Sequence, residues 1–440
     1  MRRRERVFPR RLSLPSWSQL KAMPSHVMRQ LPWRHLYTVE DRNAWSLYMD
    51  IAWFGVLNGV STTFTSVFVV RLGASDALLG WLSALPALVN VLWLIPAASI
   101  IEKQRRRMPI ILLSGFLHRL GYLLVALLPS FWVFYRAEAL VVVIALTAFP
   151  AAMANVAFTS LLADAVPSTR RARVASVRNT LLAGVSTATV LIGGGLLDLI
   201  SFPINYQLLF AVAFLTSLVS LYHVGRIRVS DAVVADRRSQ PLSLRALPRS
   251  LGQVWNHKDF IGFSLSSFMF NWGLYMPAAL YNIYRVKHLH ASDTWIGLFT
   301  TVYNVTSVIS YVRWGNFTTK RGNWRTLLIS SLGLVLYPML TGLSPRLEPL
   351  LGVSVLGGLF GAGLNLALFS ILLQVCPDER RPSYVAIYNT LVNVAAFCAP
   401  LFGTFLSNRL GIRMALVISG VVRLVGVAAF YWLAPRDMTV

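Results

Sequence analysis

Three residues of this chain could take up and release a proton inside an apolar setting: Asp50, His118 and Glu138. Asp50 stands early in one long apolar run, His118 interrupts another, and Glu138 begins a third with Arg136 two positions before it. An ionised side chain in such a run must be paired, hydrated or neutralised. Each is therefore either a proton-coupling group whose access to water changes or a boundary residue held by a nearby arginine. Only the imidazole titrates near neutral pH without help from its surroundings. Two arginines, Arg119 and Arg423, fall near the middle of apolar runs. Each costs about 2.5–3.5 kcal/mol on an insertion scale, so each must face protein or water rather than lipid. Either could serve an anion if it reaches a cavity.

Uncharged polar side chains recur at helical spacing through the same runs. Asn58, Thr62 and Thr65 share one helix face, as do Asn271, Tyr275 and Asn282, and Thr300, Asn304, Ser307 and Tyr311. A lipid-facing amide is costly, so these faces turn inward, to bond a neighbouring helix or to line water. Asn58, Thr62, Asn155, Asn271, Trp272, Tyr275 and Asn365 are the candidate contacts for a small-molecule substrate. For any one of them interhelical bonding is an equal reading, and as a set they point to a cavity. The scarcity of acids favours a neutral, weakly polar or anionic solute over a multivalent cation.

Catalytic patterns are missing. There is no GxxxxGK[ST] phosphate loop, which argues against a built-in ATP motor, and no acid-base or nucleophile constellation at depth. His288 and His290 have a spacing open to metal binding, but a solvated loop explains them as well. Cys376 and Cys398, the two cysteines, form neither a disulfide framework nor a thiolate metal site. The expectation is a protein with no catalytic residues, no metal and no cofactor, and hence not an enzyme.

The elements that must position these groups are apolar segments of roughly 20 residues or more, about twelve in number. They lie near 45–70, 78–101, 109–130, 137–163, 174–199, 204–224, 259–285, 294–315, 325–343, 349–376, 383–407 and 412–433, and are numbered spans 1 to 12. Every second gap is rich in arginine: the amino-terminal tail, Lys103 to Arg107, Arg170 to Arg178, Arg226 to Lys258, Lys320 to Arg325, Arg380 with Arg381, and Arg436. The opposite gaps offer little beyond Arg71, Arg136, Arg285, Lys287, Arg346, Arg409 and Arg413. The positive-inside rule then puts both termini in the cytoplasm and makes the span count even. With 55% hydrophobic and 13% charged residues, the chain is too apolar for a soluble surface. Its 41 basic and 17 acidic residues, net +24, sit in loops that meet anionic lipid head groups rather than nucleic acid. The start MRRRERVFPRRLSLPSW has no apolar core after its charges and does not read as a cleavable signal peptide.

The sequence also repeats. An offset of 210 brings Pro167, Arg170, Arg171, Asn179, Thr180 and Leu181 onto Pro377, Arg380, Arg381, Asn389, Thr390 and Leu391, and Asn155 onto Asn365. An offset of 217 brings Ala74, Ser75, Asp76 and Gly80 onto Ala291, Ser292, Asp293 and Gly297. These matches fall in polar loops at equivalent places, so the expected architecture is all-α and polytopic, with twelve transmembrane helices in two pseudo-symmetric six-helix bundles. Its parts are a basic, largely disordered tail over 1–43, an N-terminal bundle over 44–225, a cytoplasmic linker over 226–258, a C-terminal bundle over 259–434 and a short tail over 435–440.

The gap between spans 2 and 3 reads Ala98-Ser-Ile-Ile-Glu102-Lys103-Gln-Arg105-Arg106-Arg107, and that between spans 8 and 9 reads Gly315-Asn-Phe-Thr-Thr319-Lys320-Arg321-Gly322-Asn-Trp324-Arg325. With the duplicated twelve spans, these loops resemble those of the major facilitator superfamily, each copy degenerate. The resemblance implies a secondary active transporter moving a small organic solute by alternating access, with proton coupling as an option. It also implies a central cavity built from spans 1, 4, 7 and 10. The loops read as a cytoplasmic gate of Glu102, Lys103, Arg106, Asp164, Lys320 and Arg325, in which Lys103 or Arg106 pairs with Asp164. Span 5 carries no Gly-Pro pair, so the superfamily's antiporter signature is missing. Asn179 and Asn389 are expected to pack the repeat interface. The competing class is a sensor or scaffold that keeps the fold without transport. A monomer in the bacterial inner (plasma) membrane, touching substrate and lipid but no nucleic acid, completes the expectation.

Overall fold

The computed structural model describes residues 38–102, 107–131, 134–229, 257–377 and 381–433. Residues 1–37 of the expected tail, 230–256 of the expected linker and 434–440 lie outside them, as do Lys103 and Arg106. In the hydrocarbon of a bilayer a backbone must satisfy its own N–H and C=O groups, which long helices do. The described residues form helices and no strand. Spans 1 to 6 run over Val39–Arg71, Asp76–Glu102, Met108–Phe131, Arg136–Ala165, Ser168–Leu199 and Ile204–Gly225. Span 7 is Lys258–Tyr275, continued by Ala278–Ile283 and a π-helical turn over Tyr284–His288. Spans 8 to 12 are Asp293–Arg321, Asn323–Leu343, Glu348–Val375, Arg381–Leu410 and Ile412–Leu433.

Ten of these helices are long and apolar enough to cross a membrane, and spans 7 and 8 fall short. Span 7 breaks at Pro277, whose ring removes a backbone donor. Span 8 carries Thr300, Thr301, Asn304, Thr306 and Ser307 along its middle. Elsewhere the outward faces are apolar: Leu92, Leu113, Val142, Leu146, Ile192 and Val312 are all exposed, as lipid-facing side chains must be.

The packing repeats as the sequence does. Span 1 packs on spans 5 and 6, as span 7 does on 11 and 12. Span 3 packs on 4 and 6, as 9 does on 10 and 12, and span 2 packs on 4 as 8 does on 10. The halves meet through two pairs that the repeat exchanges, span 2 with span 11 and span 5 with span 8. The start of span 1 lies beside the end of span 4, through Asn43 Nδ2 and the Ala165 carbonyl, and the start of span 7 lies against the end of span 12 at Gly262 and Leu433. This is the tail end of the molecule, and the opposite end is the far end.

Candidate functional site

Asp50 is the twelfth residue of span 1, about 17 Å along the helix from its start at 1.5 Å per residue. Span 5 begins at Ser168, directly after Pro167, earlier than the expected start at 174, so Arg178 stands in the third turn of the helix rather than near its start. It is buried and meets Asp50 across spans 1 and 5, its Nη1 donating to Asp50 Oδ2 at 3.2 Å and to the Leu47 carbonyl at 3.0 Å. Phe158 on span 4 covers the guanidinium at 4.5 Å from its ring centre. The other carboxylate oxygen accepts from Ser220 Oγ on span 6 at 2.7 Å, and that hydroxyl accepts from Arg119 Nη2 at 2.8 Å. Arg119 also donates to the carbonyls of Ser217 and Gly115. The result is a buried relay, Arg119 to Ser220 to Asp50 to Arg178, linking four spans.

This relay forms one wall of a cavity of about 670 Å³ inside the N-terminal bundle. Phe54, Tyr122, Ile144 and Phe158 give it apolar surface, and His118, Asn90, Thr147, Asn155, Thr159 and Asn179 give it polar edges. The Nδ1 of His118 is buried with no hydrogen-bond partner.

Of the substrate-contact candidates, Asn155 is in the cavity wall. Asn365, its repeat mate on span 10, is exposed. Asn58 instead donates to Ser186 Oγ on span 5 at 3.1 Å, Thr62 donates to the Asn58 carbonyl, and Asn271 is buried on the Ser267 carbonyl one turn back. Trp272 lies against Phe268 and Phe402, and Tyr275 is half-buried. Asn179 and Asn389 do not pack an interface: both are exposed, and Asn179 lines the cavity. Of the proton-coupling candidates, Asp50 and His118 line the cavity, whereas Glu138 is exposed in the first turn of span 4 at the far end. At the tail end Asp164 pairs with Arg107 at 3.3 Å. Lys103, Arg106 and the Glu102 side chain lie outside the described residues, and Lys320 and Arg325 are exposed at the junction of spans 8 and 9. Arg423 is closed to any cavity solute: it is 2% exposed, and its guanidinium donates to the Gly273, Leu274 and Leu334 carbonyls and to Tyr281 Oη.

Contacts between the halves that no sequence pattern announced lie at the far end. Ser75 and Ser292, the matched serines of the Ala-Ser-Asp repeat, each cap a helix, accepting from the backbone N–H of Leu78 and Trp295. The aspartates that follow reach into the opposite half. Arg71 at the end of span 1 donates to Asp293 at 3.0 Å and to the Ala291 carbonyl at 3.2 Å. Lys287 at the end of span 7 donates to Asp76 and to the Ala74 carbonyl, both at 2.8 Å. These are two copies of one bridge, related by the repeat. Tyr206 also donates to Asp293, and Asp198 accepts from the backbone N–H groups of Asp293 and Thr294, fastening span 5 to the first turn of span 8. Spans 5 and 8 approach so closely there that a Cβ at Gly194 or Gly297 would meet a carbonyl oxygen of the other helix at 2.7 or 2.8 Å. Asn282 donates to Ser66, adding a further bond between halves. At the tail end, by contrast, spans 4 and 10 do not pack extensively on each other among the described residues.

The sequence model described as "Major Facilitator Superfamily" matches residues 49–285 and 261–439. The chain is 21% identical over 259 residues to the staphyloferrin B transporter of Staphylococcus aureus (strain NCTC 8325 / PS 47), covering 58% of this chain and 61% of that protein. The match thus spans under two thirds of that relative's length. Among solved structures, a point mutant of the nucleoside transporter NupG superimposes with a TM-score of 0.70 at 13% identity, over 90% of this chain and 100% of that one. A bacterial homolog of the human lysosomal transporter Spinster, in an inward-facing and unoccupied conformation, gives 0.68 at 14% identity, over 91% and 98%. These structural likenesses speak to the fold.

Proposed function

The chain belongs to the major facilitator superfamily, and we propose that it is a secondary transporter whose two six-span bundles rock about a central site, carrying a small organic solute by alternating access. One observation carries this reading. The bonds joining the halves, the doubled Arg71–Asp293 and Lys287–Asp76 bridge above all, gather at the far end, while a cavity with polar edges occupies the tail half of the N-terminal bundle. That is how a carrier with one gate shut is built. The protein is integral to the membrane, with helices long and apolar enough to cross it. Taking the arginine-rich loops as cytoplasmic, the shut gate is external and the cavity faces the cytoplasm of a bacterial cell, the carrier acting as a monomer in the inner membrane. Asp50, buried against Arg178 in the cavity wall, is the proton-coupling group this reading favours.

The test is a reversible lock. With Cys376 and Cys398 replaced by alanine, Ser66→Cys with Asn282→Cys places two thiols across the far-end contact. In proteoliposomes under an imposed proton gradient, a broad panel of organic solutes should include one whose flux stops on oxidation and returns on reduction. Flux equal in the oxidised and reduced protein would refute alternating access at this gate. No flux of any solute would favour a scaffold.

A further inference from the structure

The cavity in the N-terminal bundle has more positive charge than it neutralises. Arg119 and Arg178 face it, with Asp50 between them. Arg178 commits only its Nη1 to Leu47 and Asp50, and its Nη2 and Nε hydrogens are engaged by no other described residue. A guanidinium binds a carboxylate best as a two-pronged pair. The Asp50–Arg178 contact uses one prong, at 3.2 Å. Phe54, Ile144 and Phe158, the last packed on the Arg178 guanidinium itself, give the cavity apolar surface that suits a hydrocarbon or aromatic body attached to such a group.

We propose that the carried solute is an organic monocarboxylate with an apolar body, that it binds Arg178 in place of Asp50, and that the displaced Asp50 takes up one proton. The exchange balances. Before it, the Asp50 carboxylate and the Arg178 guanidinium form one neutral pair. Afterwards the solute carboxylate and Arg178 form the neutral pair, and the proton that entered is covalently held on an Asp50 oxygen. Ser220 then accepts from, rather than donates to, the carboxyl it now bonds. One anion and one proton enter together, so the occupied site carries the same net charge as the empty one. A carboxylate solute is favoured over other anions because the site already holds a carboxylate on the same guanidinium.

The charged and titratable groups facing Asp50 are Arg178 on span 5, Arg119, His118 and Tyr122 on span 3 and His223 on span 6. Spans 2 and 4 bring Asn90, Thr147, Asn155 and Thr159, none of which titrates. A histidine could take the proton instead, and the variants below separate the two.

This inference rests on the carrier reading, but its test needs no transport. Purified protein would be titrated calorimetrically with benzoate, 3-phenylpropionate, octanoate and their matched amides and amines, in two buffers of different ionisation enthalpy. A carboxylate should bind where its amide and amine do not, with uptake of one proton per ligand. Its affinity should fall about tenfold per pH unit across the range in which Asp50 ionises only in the empty site. Asp50→Asn, which mimics the protonated residue, should still bind the carboxylate but lose both proton uptake and pH dependence. Arg178→Gln should abolish binding while folding as judged by its melting curve. His118→Gln and His223→Gln should leave proton uptake at one. Preference for the amides or amines, binding that survives Arg178→Gln, proton uptake that persists in Asp50→Asn, or no binding by any carboxylate would each overturn the proposal. Carboxylate binding with proton uptake, but no flux in liposomes, would sink the carrier reading and leave the carboxylate site and its proton exchange standing.

Discussion

Pro277 and Pro338 each deprive a helix of one backbone donor, so the carbonyls four residues upstream, Gly273 and Leu334, lose their usual partners. Arg423 supplies both: its Nε reaches the Gly273 oxygen at 3.0 Å and its Nη1 the Leu334 oxygen at 2.7 Å. A charge deep in an apolar run thus pins two proline-bearing spans, 7 and 9, to span 12. Arg423→Met should leave two buried carbonyls unmet at about 1–3 kcal/mol each, offset in part by the guanidinium's own desolvation cost. The apparent melting temperature should fall. In a Pro277→Ala, Pro338→Ala background, where the backbone donors return, the same substitution should cost less, with a coupling of about 0.5–3 kcal/mol. An undiminished cost would show that the prolines are not what the arginine answers to. The sequence made Arg119 and Arg423 conspicuous because charge inside an apolar run has to be satisfied. It could not say by what, since carbonyl acceptors leave no mark in a residue pattern. Arg178 was missed for a related reason. It closes a run of arginines counted with the basic loops, although the span expected from 174 already takes it in, so its charge was credited to the loop and not to the helix interior.

At the scale of elements, the Ala-Ser-Asp repeat is the informative case. Its offset revealed the duplication, and its serine-then-aspartate order is a helix start. That the two starts trade partners across the halves depends on how the bundles face each other, which no local pattern encodes. Arg71 and Lys287 were visible as rare basic residues on the sparsely charged side, and that rarity was the available signal. Asp76→Asn removes a bridge whose partners are both partly exposed, and should shift the open–closed balance of the far end about two- to fivefold. Asp293→Asn should shift it about tenfold or more, because its side chain is 4% exposed and also holds the Tyr206 hydroxyl. A cysteine at Asn282, probed with a membrane-impermeant thiol reagent from the far side, reads this as faster labelling. Exchanging the charges, Arg71→Asp with Asp293→Arg, should slow labelling again. Equal labelling in all variants would mean that these bridges hold nothing shut. Span 7 shows the opposite limit of sequence reading. Its extent over 259–285 was plain from its apolar residues, but the closing π-helical turn over Tyr284–His288 was not.

For the whole molecule, twelve spans in two six-span sets were legible because lipid makes each span apolar and the duplication recurs in the polar loops between them. The relative tilt of the halves was not. It depends on contacts such as Gly194 with span 8 and Asn282 with Ser66, made between residues far apart in sequence. If the bundles rock as rigid units, opening one end must close the other. Spin labels can test this without knowing the solute. In protein lacking Cys376 and Cys398, one pair would sit at Glu138 and Arg346 on the far end and another at Arg173 and Gln374 on the tail end, all exposed. Distances between each pair would be measured by electron double resonance in lipid nanodiscs, with and without Asp76→Asn and Asp293→Asn together. The account predicts that these substitutions lengthen the Glu138–Arg346 distance and shorten the Arg173–Gln374 distance in the same fraction of molecules. A change at one end alone, or distances unmoved at both while the bridges are gone, would contradict it.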